Sequence, residues 1–321
     1  MESYFFIAVS TRENVEICKR HALAGFTQTI NGAWAYSEIN IGDYVTFLYG
    51  ARAYNLYKVV NKEALADAES LPPWKPLLFR SGRICYFPFR LYLEPVRQFE
   101  ESIAKVEFAY IAENLLLRGG YRKTHFQADR TTLQNVSQMG KIFKDNVEPL
   151  EMPEHDTFTP KFVRAKGSKL PELFQFREII LQALIRQHLS EKNNFKTFID
   201  QLDLSELAGI EFEVLGEKAI EEGHIDLLVK EARPKGSAKQ MLIEVKLGKA
   251  AKGDAQQLQS YMSEIGDECV AGVLIAERLP RGVISLPRRD IHFWRYEFEG
   301  IDLKEPHTFE ELLSVIRISP L

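Results

Sequence analysis

The stretch that decides the fold of the second half reads HIDLLVK at residues 224–230 and MLIEVKL at residues 241–247. Both segments are short, rich in branched apolar residues and separated by a loop that contains Pro-Lys-Gly-Ser. This pattern predicts two strands that can pair antiparallel. Asp226, Glu244 and Lys246 lie inside these apolar strands, where an unpaired charge is costly. They are therefore the first candidates for a functional site.

These three residues have the chemistry needed to hydrolyse a phosphodiester. Glu244 and Lys246 are two residues apart, so both side chains leave the same face of a strand, and Asp226 can reach them from the neighbouring strand. Two carboxylates and water form an oxygen site that suits Mg²⁺ or Mn²⁺. A lysine beside the metal can orient or deprotonate a water and stabilise a transferring phosphoryl group. The alternative is a solvated strand face, which so short a motif can equally mark.

The elements around the two strands follow an α/β order. Helices are predicted over about 172–190 and 254–265, and further strands over 210–215, 270–276 and 291–298. The order begins α-β-β-β-α-β, which predicts a three-layer α/β core. Gln257 and Tyr261 lie four residues apart on the second helix, so they share one of its faces.

The whole constellation resembles the PD-(D/E)xK nuclease superfamily, in particular its RecB-like branch. That branch shows G-x-x-D, E-V-K and Q-x-x-x-Y, which here run Gly223 to Asp226, Glu244 to Lys246, and Gln257 to Tyr261. The segment MLIEVKLGKAAKGDAQQLQSYM is also similar to mismatch-type endonucleases of archaea and actinobacteria. The resemblance covers about residues 172–298, and His224-Ile225-Asp226 stands where the superfamily's name has Pro-Asp.

The resemblance implies a restriction-endonuclease-like fold and a role for each motif residue. Asp226, Glu244 and the carbonyl group of Val245 would bind the metal, and Lys246 would serve the attacking water. Gln257 and Tyr261 would be accessory site residues. The family also has an acid on its first helix, and Glu178 fits that place. Glu178 shares a polar stripe with Gln175, Gln182 and Arg186, so plain solvent exposure is the alternative, and Glu213 is a rival acid. Phosphate contacts are expected from Lys239, Lys249 and Lys252, unless these are ordinary surface lysines.

The first half predicts an α+β domain with an aromatic sheet. Strands are predicted over 4–9, 44–50, 54–60 and 86–94, and helices over about 13–24, over 100–117 and from Arg130 with Thr131 or Thr132 as its cap. The segments YFFIAVSTREN, WAYSEINIGDYVTFLY, YNLYKVVN and YFPFRLYLEPV resemble the EVE domain of the PUA-like group, which includes the YTH readers of methylated adenine. This likeness implies an aromatic cage for a modified or flipped base. The cage candidates are Trp34 and Trp74, followed by Tyr49 and Phe79, although aromatic residues also build cores.

Four basic residues surround the pair Gly119-Gly120 and are interleaved with aromatic ones: Arg118, Arg122, Lys123 and Arg130. They predict a strip that contacts phosphates, and the alternative is an exposed basic loop. A polar stretch with four prolines then predicts a linker. We therefore divide the chain into a base-recognition domain at 1–145, a linker at 146–171 and a nuclease domain at 172–321.

Composition limits the classes of function. The 321 residues carry a net charge of −4, which excludes a globally basic coat, but residues 1–170 have 22 Lys/Arg against 19 Asp/Glu. The three cysteines form no CxxC pair and fit a reducing compartment, so we expect a cytoplasmic protein. No apolar run approaches the roughly 20 residues of a membrane span. No GxxxxGK[ST] motif is present, so any ATPase would be a separate partner.

Together these features predict a Mg²⁺-dependent DNA endonuclease that reads a modified base and cuts, as modification-dependent restriction enzymes do. One active site cuts one strand, so a homodimer is expected for a double-strand cut. One alternative is a repair nuclease for mismatched or branched DNA, or an RNA-processing nuclease. The other is a reader of modified nucleic acid without catalysis.

Overall fold

The computed structural model divides the chain into two compact units, which we call the front unit, Glu2–Gln175, and the rear unit, Phe176–Leu321. The described residues are 2–50, 52–78, 82–99, 103–104, 124–144, 146–164, 170–204, 207, 209–220, 223–284 and 291–321. Both units combine helices and sheets, so the chain is a mixed α/β protein. No helix in these ranges has the length and apolar character needed to cross a membrane.

The front unit is built on one large sheet. Its elements are β1 (Tyr4–Ala8), α1 (Arg12–His21), β2 (Leu23–Phe26), α2 (Ile30–Glu38), β3 (Tyr44–Tyr49), β4 (Arg52–Ala64), β5 (Leu77–Leu78), β6 (Ile84–Cys85), β7 (Phe89–Gln98), β8 (Ile103–Ala104), β9 (His125–Ala128), α3 (Arg130–Val136), β10 (Lys141–Ile142), β11 (Lys161–Val163) and β12 (Leu173–Gln175). The sheet runs β10-β7-β4-β3-β1-β9, with β2 on β7 and β8 on β4. β5 and β6 form a separate hairpin.

The predicted strands of the first half are all present, with boundaries that shift by a few residues. The predicted helix over 100–117 is wrong at Ile103–Ala104, which pairs with β4, and its other residues lie outside the described ranges. α2 was missed, because its sequence INGAWAYSE contains asparagine and glycine, which disfavour helices. The cap of α3 is Asp129, whose carboxylate accepts from the Thr132 amide, rather than Thr131 or Thr132.

The stretch predicted as a linker lies against the front unit over much of its length. The amide of Ala66 donates to Asp156 at 2.9 Å, and the amide of Phe158 donates to Ala64 at 2.8 Å. Lys161–Val163 then forms β11, which pairs in parallel with β12. The division between the units therefore falls at Gln175, a few residues beyond the predicted boundary at 171.

The rear unit follows the predicted order and adds to it. Its elements are α4 (Glu178–Ser190), α5 (Lys192–Leu202), β13 (Phe212–Ile220), β14 (Gly223–Glu231), β15 (Gln240–Lys249), α6 (Lys252–Ile265), β16 (Cys269–Arg278), α7 (Arg281–Ile284), β17 (Ile291–Phe298), β18 (His307–Thr308), α8 (Phe309–Val315) and β19 (Ile316–Pro320). The sheet runs β13-β14-β15-β16-β17-β19. The β13-β14-β15 part is antiparallel, whereas β15, β16 and β17 are parallel, and α6 makes the crossover from β15 to β16.

Candidate active site

Three strands place Asp226 and Glu244 on one face of the rear sheet. Leu242 of β15 pairs with Leu228 of β14 and with Gly272 of β16, and paired residues share a face. A side chain at position 272 would point at Met262 and Leu258 of α6. Since side chains alternate along a strand, Asp226, two residues before Leu228, and Glu244, two residues after Leu242, face the same side. The sheet therefore presents both carboxylates on the side that α6 covers.

The backbone pairing of β14 with β15 ends at the site, where the side chain of Asp226 bonds to β15 instead. The pairing of β14 with β15 runs from Lys230–Gln240 to Leu227–Ile243 and stops one residue short of Asp226. The amide of Val245 donates instead to Oδ2 of Asp226 at 2.8 Å. A side chain thus replaces the next backbone contact, and it ties the aspartate of β14 to the middle of the E-V-K motif.

Lys246 lies between two glutamates. Its Nζ donates to Oε1 of Glu244 at 2.7 Å and lies 3.8 Å from Oε1 of Glu178. The other oxygen of Glu178 accepts the amide of Leu247 at 3.1 Å. The structure therefore brings Glu178, the first residue of α4, to the cluster that the sequence predicted around Asp226, Glu244 and Lys246.

The carboxylates of this cluster outnumber its ammonium group, so their negative charges are not fully compensated. Burial raises the pKa of Asp226, and the charge of Glu244 raises it further, against the smaller opposing effects of Lys246 and the Val245 amide. Burial likewise raises the pKa of Glu244, and its hydrogen bond to Lys246 compensates only in part. Burial lowers the pKa of Lys246, but the carboxylates of Asp226 and Glu244 outweigh it, so the pKa is raised. The buried Glu244 and the half-buried Asp226 thus share one ammonium group.

The donor set fits a hard divalent cation. Glu244 is 2% exposed, and its Oε2 has no hydrogen-bond partner among the described residues. Among the same residues, no group of three or more histidine, cysteine, aspartate or glutamate side chains is arranged around a metal position. Mg²⁺ needs no such group, because it keeps several waters and is commonly held by one or two carboxylates. Asp226 and Glu244 provide those carboxylates, and Val245 lies between Glu244 and Lys246 in the sequence.

Gly223 and Tyr261 form one contact that links two of the sequence motifs. A Cβ atom at position 223 would lie 2.3 Å from the hydroxyl oxygen of Tyr261, so only glycine allows this approach. Gln257, one turn earlier on α6, donates its side-chain amide to the same hydroxyl. Tyr261 is buried at 3% exposure. Gln257 and Tyr261 therefore fix the start of β14 at Gly223, three residues before Asp226.

Several other predicted residues lie apart from the cluster. Glu213 faces Lys230 at 3.8 Å, four residues along β14 from Asp226, which is roughly 13 Å. The stripe on α4 is not solvent-exposed as the alternative required, because Gln182 and Arg186 are buried. Lys249 and Lys252 are exposed just beyond Lys246. Lys239 precedes the opposite end of β15 and so does not flank the site.

The front unit has a cavity of about 140 Å³ with aromatic walls. Its lining includes Phe26, Phe47, Trp74 and Phe87, together with the polar residues Ser10, Asn14, Thr27 and Thr124. The Trp74 ring lies 5.4 Å from that of Phe87 and packs over Gly25, where a Cβ atom would be 2.6 Å from the ring. Trp74, a predicted cage residue, is therefore a wall of this cavity.

The other predicted cage and strip residues are not among the lining residues that the structure describes. Trp34 lies on α2 rather than in a loop and packs against His125, with 4.4 Å between the ring centroids. Tyr49 ends β3, and neither residue is among the described lining. Arg130 begins α3 and is partly exposed. Phe79, Arg118, Arg122 and Lys123 lie outside the described residues.

The sequence analysis missed Phe26 and Phe87 as cavity residues. Phe87 was assigned to the strand face of 86–94, but it precedes β7 and its ring packs on Trp74. Phe26 ends the short strand β2, which follows α1 directly and was not predicted. The sequence feature that could have pointed to Phe26 is the preceding Gly25, because a glycine in a strand often marks a close approach by another group.

Parts of this chain are similar to solved structures. The EndoMS-dsDNA2 complex is 25% identical over 28% of this chain and 38% of that chain, with a TM-score of 0.20. The YTH domain of the Zygosaccharomyces rouxii MRB1 protein, in complex with N6-methyladenosine RNA, is 15% identical over 46% and 89%, with a TM-score of 0.26. The DNA modification-dependent restriction endonuclease AspBHI is 13% identical over 88% and 67%, with a TM-score of 0.19.

These solved structures include a restriction endonuclease and a YTH domain. Their TM-scores of 0.19 to 0.26 are too low to infer the fold or function of this chain from them. The chain spans well under half the length of the EndoMS chain that it matches. No family model and no curated protein matches the chain.

The charge imbalance predicts that Asp226→Asn stabilises the metal-free protein. Because the pKa of Asp226 is raised in the folded state, the folded chain holds this proton more tightly than the unfolded chain. Its contribution to stability is full below the unfolded pKa and is lost as the pH rises from about 4 to 8. At pH 8 in EDTA we expect Asp226→Asn to melt about 2–8 °C above the parent, roughly 1–2 kcal/mol.

Scanning calorimetry at pH 5 and pH 8 measures this difference. The matched control is Asp267→Asn, which changes an exposed aspartate and should show no gain that depends on pH. Equal melting temperatures of parent and Asp226→Asn at pH 8 would contradict the account of a buried, uncompensated carboxylate.

Proposed function

We propose that this chain is a metal-dependent DNA endonuclease whose rear unit hydrolyses phosphodiester bonds and whose front unit binds a modified base. The observation that carries the nuclease part is the convergence of Asp226, Glu244 and Lys246 on one face of the sheet, with Glu178 against the lysine. The buried Oε2 of Glu244 has no hydrogen-bond partner among the described residues, so it is available to a metal ion. A restriction-endonuclease-like three-layer core is the fold that we propose for this unit.

The proposed cofactor is Mg²⁺ or Mn²⁺, held by Asp226, Glu244 and the carbonyl oxygen of Val245. When bound, such an ion supplies a Lewis acid that activates water and stabilises the charge on the phosphate. The chain's own contribution is to hold two carboxylates in position before the ion arrives. The Val245 amide fixes the Asp226 carboxylate, and Lys246 fixes that of Glu244.

Lys246 is the residue that we assign to the attacking water. Its ammonium group is held by Glu244 and lies close to Glu178, so its position is fixed before a substrate binds. There it can orient a water molecule and donate to the phosphate oxygens as negative charge develops. Gln257 and Tyr261 act through the backbone, because their contact is with Gly223 at the start of β14. Lys249 and Lys252 are exposed beyond Lys246 and are proposed to contact flanking phosphates.

The front cavity supports the reader part of the proposal. Its volume of about 140 Å³ is close to the roughly 150 Å³ of a cavity that binds a single benzene ring. Stacking on aromatic side chains contributes about 1–3 kcal/mol per base, and extruding a base from a duplex costs a few kcal/mol. Trp74 and Phe87 offer the ring faces, and Asn14 and Thr27 offer hydrogen bonds to the edge of a base. A base that carries a modification is the ligand we propose.

We propose a homodimer as the cutting species, because one site of this kind cuts one strand. A separate ATPase partner is compatible with the absence of a phosphate-binding loop motif in the sequence. The alternatives are a nuclease for mismatched or branched DNA, an RNA-processing nuclease, and a reader without catalysis. The convergence of Asp226, Glu244 and Lys246 favours catalysis over the last of these.

The direct test is cleavage of matched duplexes with Mg²⁺ or Mn²⁺. The series contains unmodified, adenine-methylated, cytosine-modified and mismatched DNA, with Asp226→Ala as the inactive control. We expect cutting of a modified duplex only. Cutting of mismatched DNA alone would assign the protein to repair, and binding without any cutting would favour the reader.

Lys246→Ala separates chemistry from binding. Since Lys246 contacts the carboxylates and is not itself a metal ligand, its removal should lower the cleavage rate by at least about 100-fold. Metal binding by calorimetry and DNA binding should persist, whereas Asp226→Ala should lose metal binding. Lys249→Ala is the matched control and should reduce DNA affinity in a salt-dependent way while still cutting at saturating DNA. Retained cleavage by Lys246→Ala would remove this lysine from the mechanism.

Trp74→Ala tests the reader cavity. Loss of one stacking face should weaken binding of the modified duplex by about 10- to 100-fold and of the unmodified duplex by less than about twofold. Fluorescence anisotropy measures both affinities, and Tyr49→Ala, which alters an aromatic residue outside the described lining, should preserve the preference. Equal losses on both duplexes would assign Trp74 to the core of the front unit.

A further inference from the structure

Four exposed cations lie together beyond Lys246, at the carboxyl ends of β15 and β16. Lys249, the last residue of β15, pairs with Arg278, the last residue of β16. Lys252 then begins α6, and Arg281 begins α7, which packs against α6. All four side chains are exposed, and we call these residues the basic strip: Lys249, Lys252, Arg278 and Arg281.

A register shift brings Lys249 to the face of the sheet that carries Lys246. Lys249 follows Lys246 by three residues, and side chains an odd number of residues apart leave opposite faces of a regular strand. Over the same interval β16 advances by only two residues, from Ala276 to Arg278. These two share a face, and the first pairs with Lys246 and the second with Lys249. The extra residue of β15 therefore returns Lys249, and with it Arg278, to the Lys246 face.

Hydrogen bonds from other elements hold the shifted segment. The amide of Leu247 donates to Glu178 of α4 at 3.1 Å, and its carbonyl accepts from the hydroxyl of Tyr296 of β17 at 2.7 Å. Beyond the shift, the amide of Ala250 donates to the carbonyl of Arg278 at 3.0 Å. Because the backbone is bonded on both sides of the shift, the basic strip has a defined position relative to the candidate site.

The basic strip stands out because this half of the chain is acidic. Residues 171–321 carry 19 Lys/Arg against 26 Asp/Glu. Several other exposed cations of this half are paired with carboxylates, for example Arg233 with Glu211 at 3.7 Å and Arg317 with Glu299 at 3.3 Å. Within the described ranges, no ion pair joins a carboxylate to a residue of the basic strip. The strip therefore presents uncompensated positive charge to an anionic partner.

The distance from Lys246 to the basic strip matches a DNA backbone. Three residues of strand span roughly 10 Å, and successive phosphates of one DNA strand are about 3.4 Å apart along the helix axis. If a phosphate lies at Lys246, the phosphate about three nucleotides away on one side comes level with Lys249 and Arg278. A small anion would need only one such position, whereas the cations of the strip extend over two strands and the starts of two helices.

We propose that the basic strip binds the DNA backbone on one side of the scissile phosphate, about three nucleotides away from it. This inference rests on the proposed nuclease function. It adds Arg278 and Arg281 to the two lysines, and it gives the direction in which the DNA leaves the site. Each phosphate contact releases condensed counterions, so each makes DNA affinity more sensitive to salt. The register shift places this contact and Lys246 on one face.

The salt dependence of DNA binding tests the basic strip without any cleavage. Fluorescence anisotropy in EDTA measures the affinity for an unmodified duplex from about 50 to 200 mM salt. The proteins are the parent, R278A/R281A and the matched control R233A/K235A. The control also removes two exposed positive charges, but from the loop before β15, at the opposite end of that strand. Melting temperatures confirm that both variants are folded.

Loss of two phosphate contacts makes a quantitative pattern. R278A/R281A should flatten the slope of log affinity against log salt by about 1.8, since each contact accounts for about 0.9. From about 50 to 200 mM salt its affinity should therefore fall about tenfold less than that of the parent. R233A/K235A should keep the slope of the parent.

A neutral methylphosphonate locates the contact on a duplex that the parent cuts. Placed about three nucleotides from the cut, on one side only, it should weaken binding by the parent and leave R278A/R281A unaffected. Equal weakening of both proteins would overturn the proposed position.

The outcomes separate the basic strip from the nuclease. Equal changes of slope in the two double variants would reduce the effect to net charge, and an unchanged slope in R278A/R281A would remove the strip from the interface. Either result overturns the strip, while cleavage by the parent would still support the nuclease. A parent that cuts no duplex with Mg²⁺ or Mn²⁺, yet loses salt dependence in R278A/R281A alone, would refute the nuclease and retain the strip as a DNA contact.

Discussion

The rear unit depends on an excess of negative charge at two carboxylates, the buried Glu244 and the half-buried Asp226. Asp226 and Glu244 lie in apolar strands, and the ammonium group of Lys246 can compensate only one of them. Burying charges without full compensation costs several kcal/mol, so the arrangement persists only if surrounding structure enforces it. The Val245 amide, the lysine and the packing of α6 do this. The divalent cation that we propose would reduce the repulsion between the two carboxylates by binding both of them.

The strand order explains how that enforcement arises. An antiparallel hairpin supplies Asp226 and Glu244 from adjacent strands, and the parallel crossover through α6 returns Tyr261 to the start of β14. Glu178 arrives from α4, which packs against β13, β14 and β15. The elements α4, β14, β15 and α6 thus each supply one side chain to the cluster or to its support. Because they pack against one another, none can move without disturbing a neighbour. Interiors packed in this way hold a geometry within narrow limits.

Local pattern accounts for what the sequence predicted well. Asp226, Glu244 and Lys246 stood out because charge inside an apolar strand is conspicuous and strand spacing fixes the face. The loop-like context predicted for Trp34 is wrong, because tertiary packing made this residue part of α2. Phe26 and Phe87 reach the cavity through the pairing of β2 with β7 and through the Trp74 contact, which are long-range and leave no periodic signal. The stretch punctuated by prolines bonds to the end of β4 and to Leu65 beyond it through contacts that are equally long-range.

A buried arginine, Arg90, lies against the Trp74 ring of the front cavity. Arg90 is 1% exposed, and its guanidinium lies 5.6 Å from the Trp74 ring centroid. Burial lowers the pKa of Arg90 to about 10, and its Nε has no hydrogen-bond partner among the described residues. A cation over one face of the indole holds the ring against Gly25 and leaves its position set before any base binds. As with Glu244, a polar group is buried with incomplete partners beside the candidate site. In the function that we propose, both sites would bear this cost before a ligand binds, and such preorganisation raises affinity.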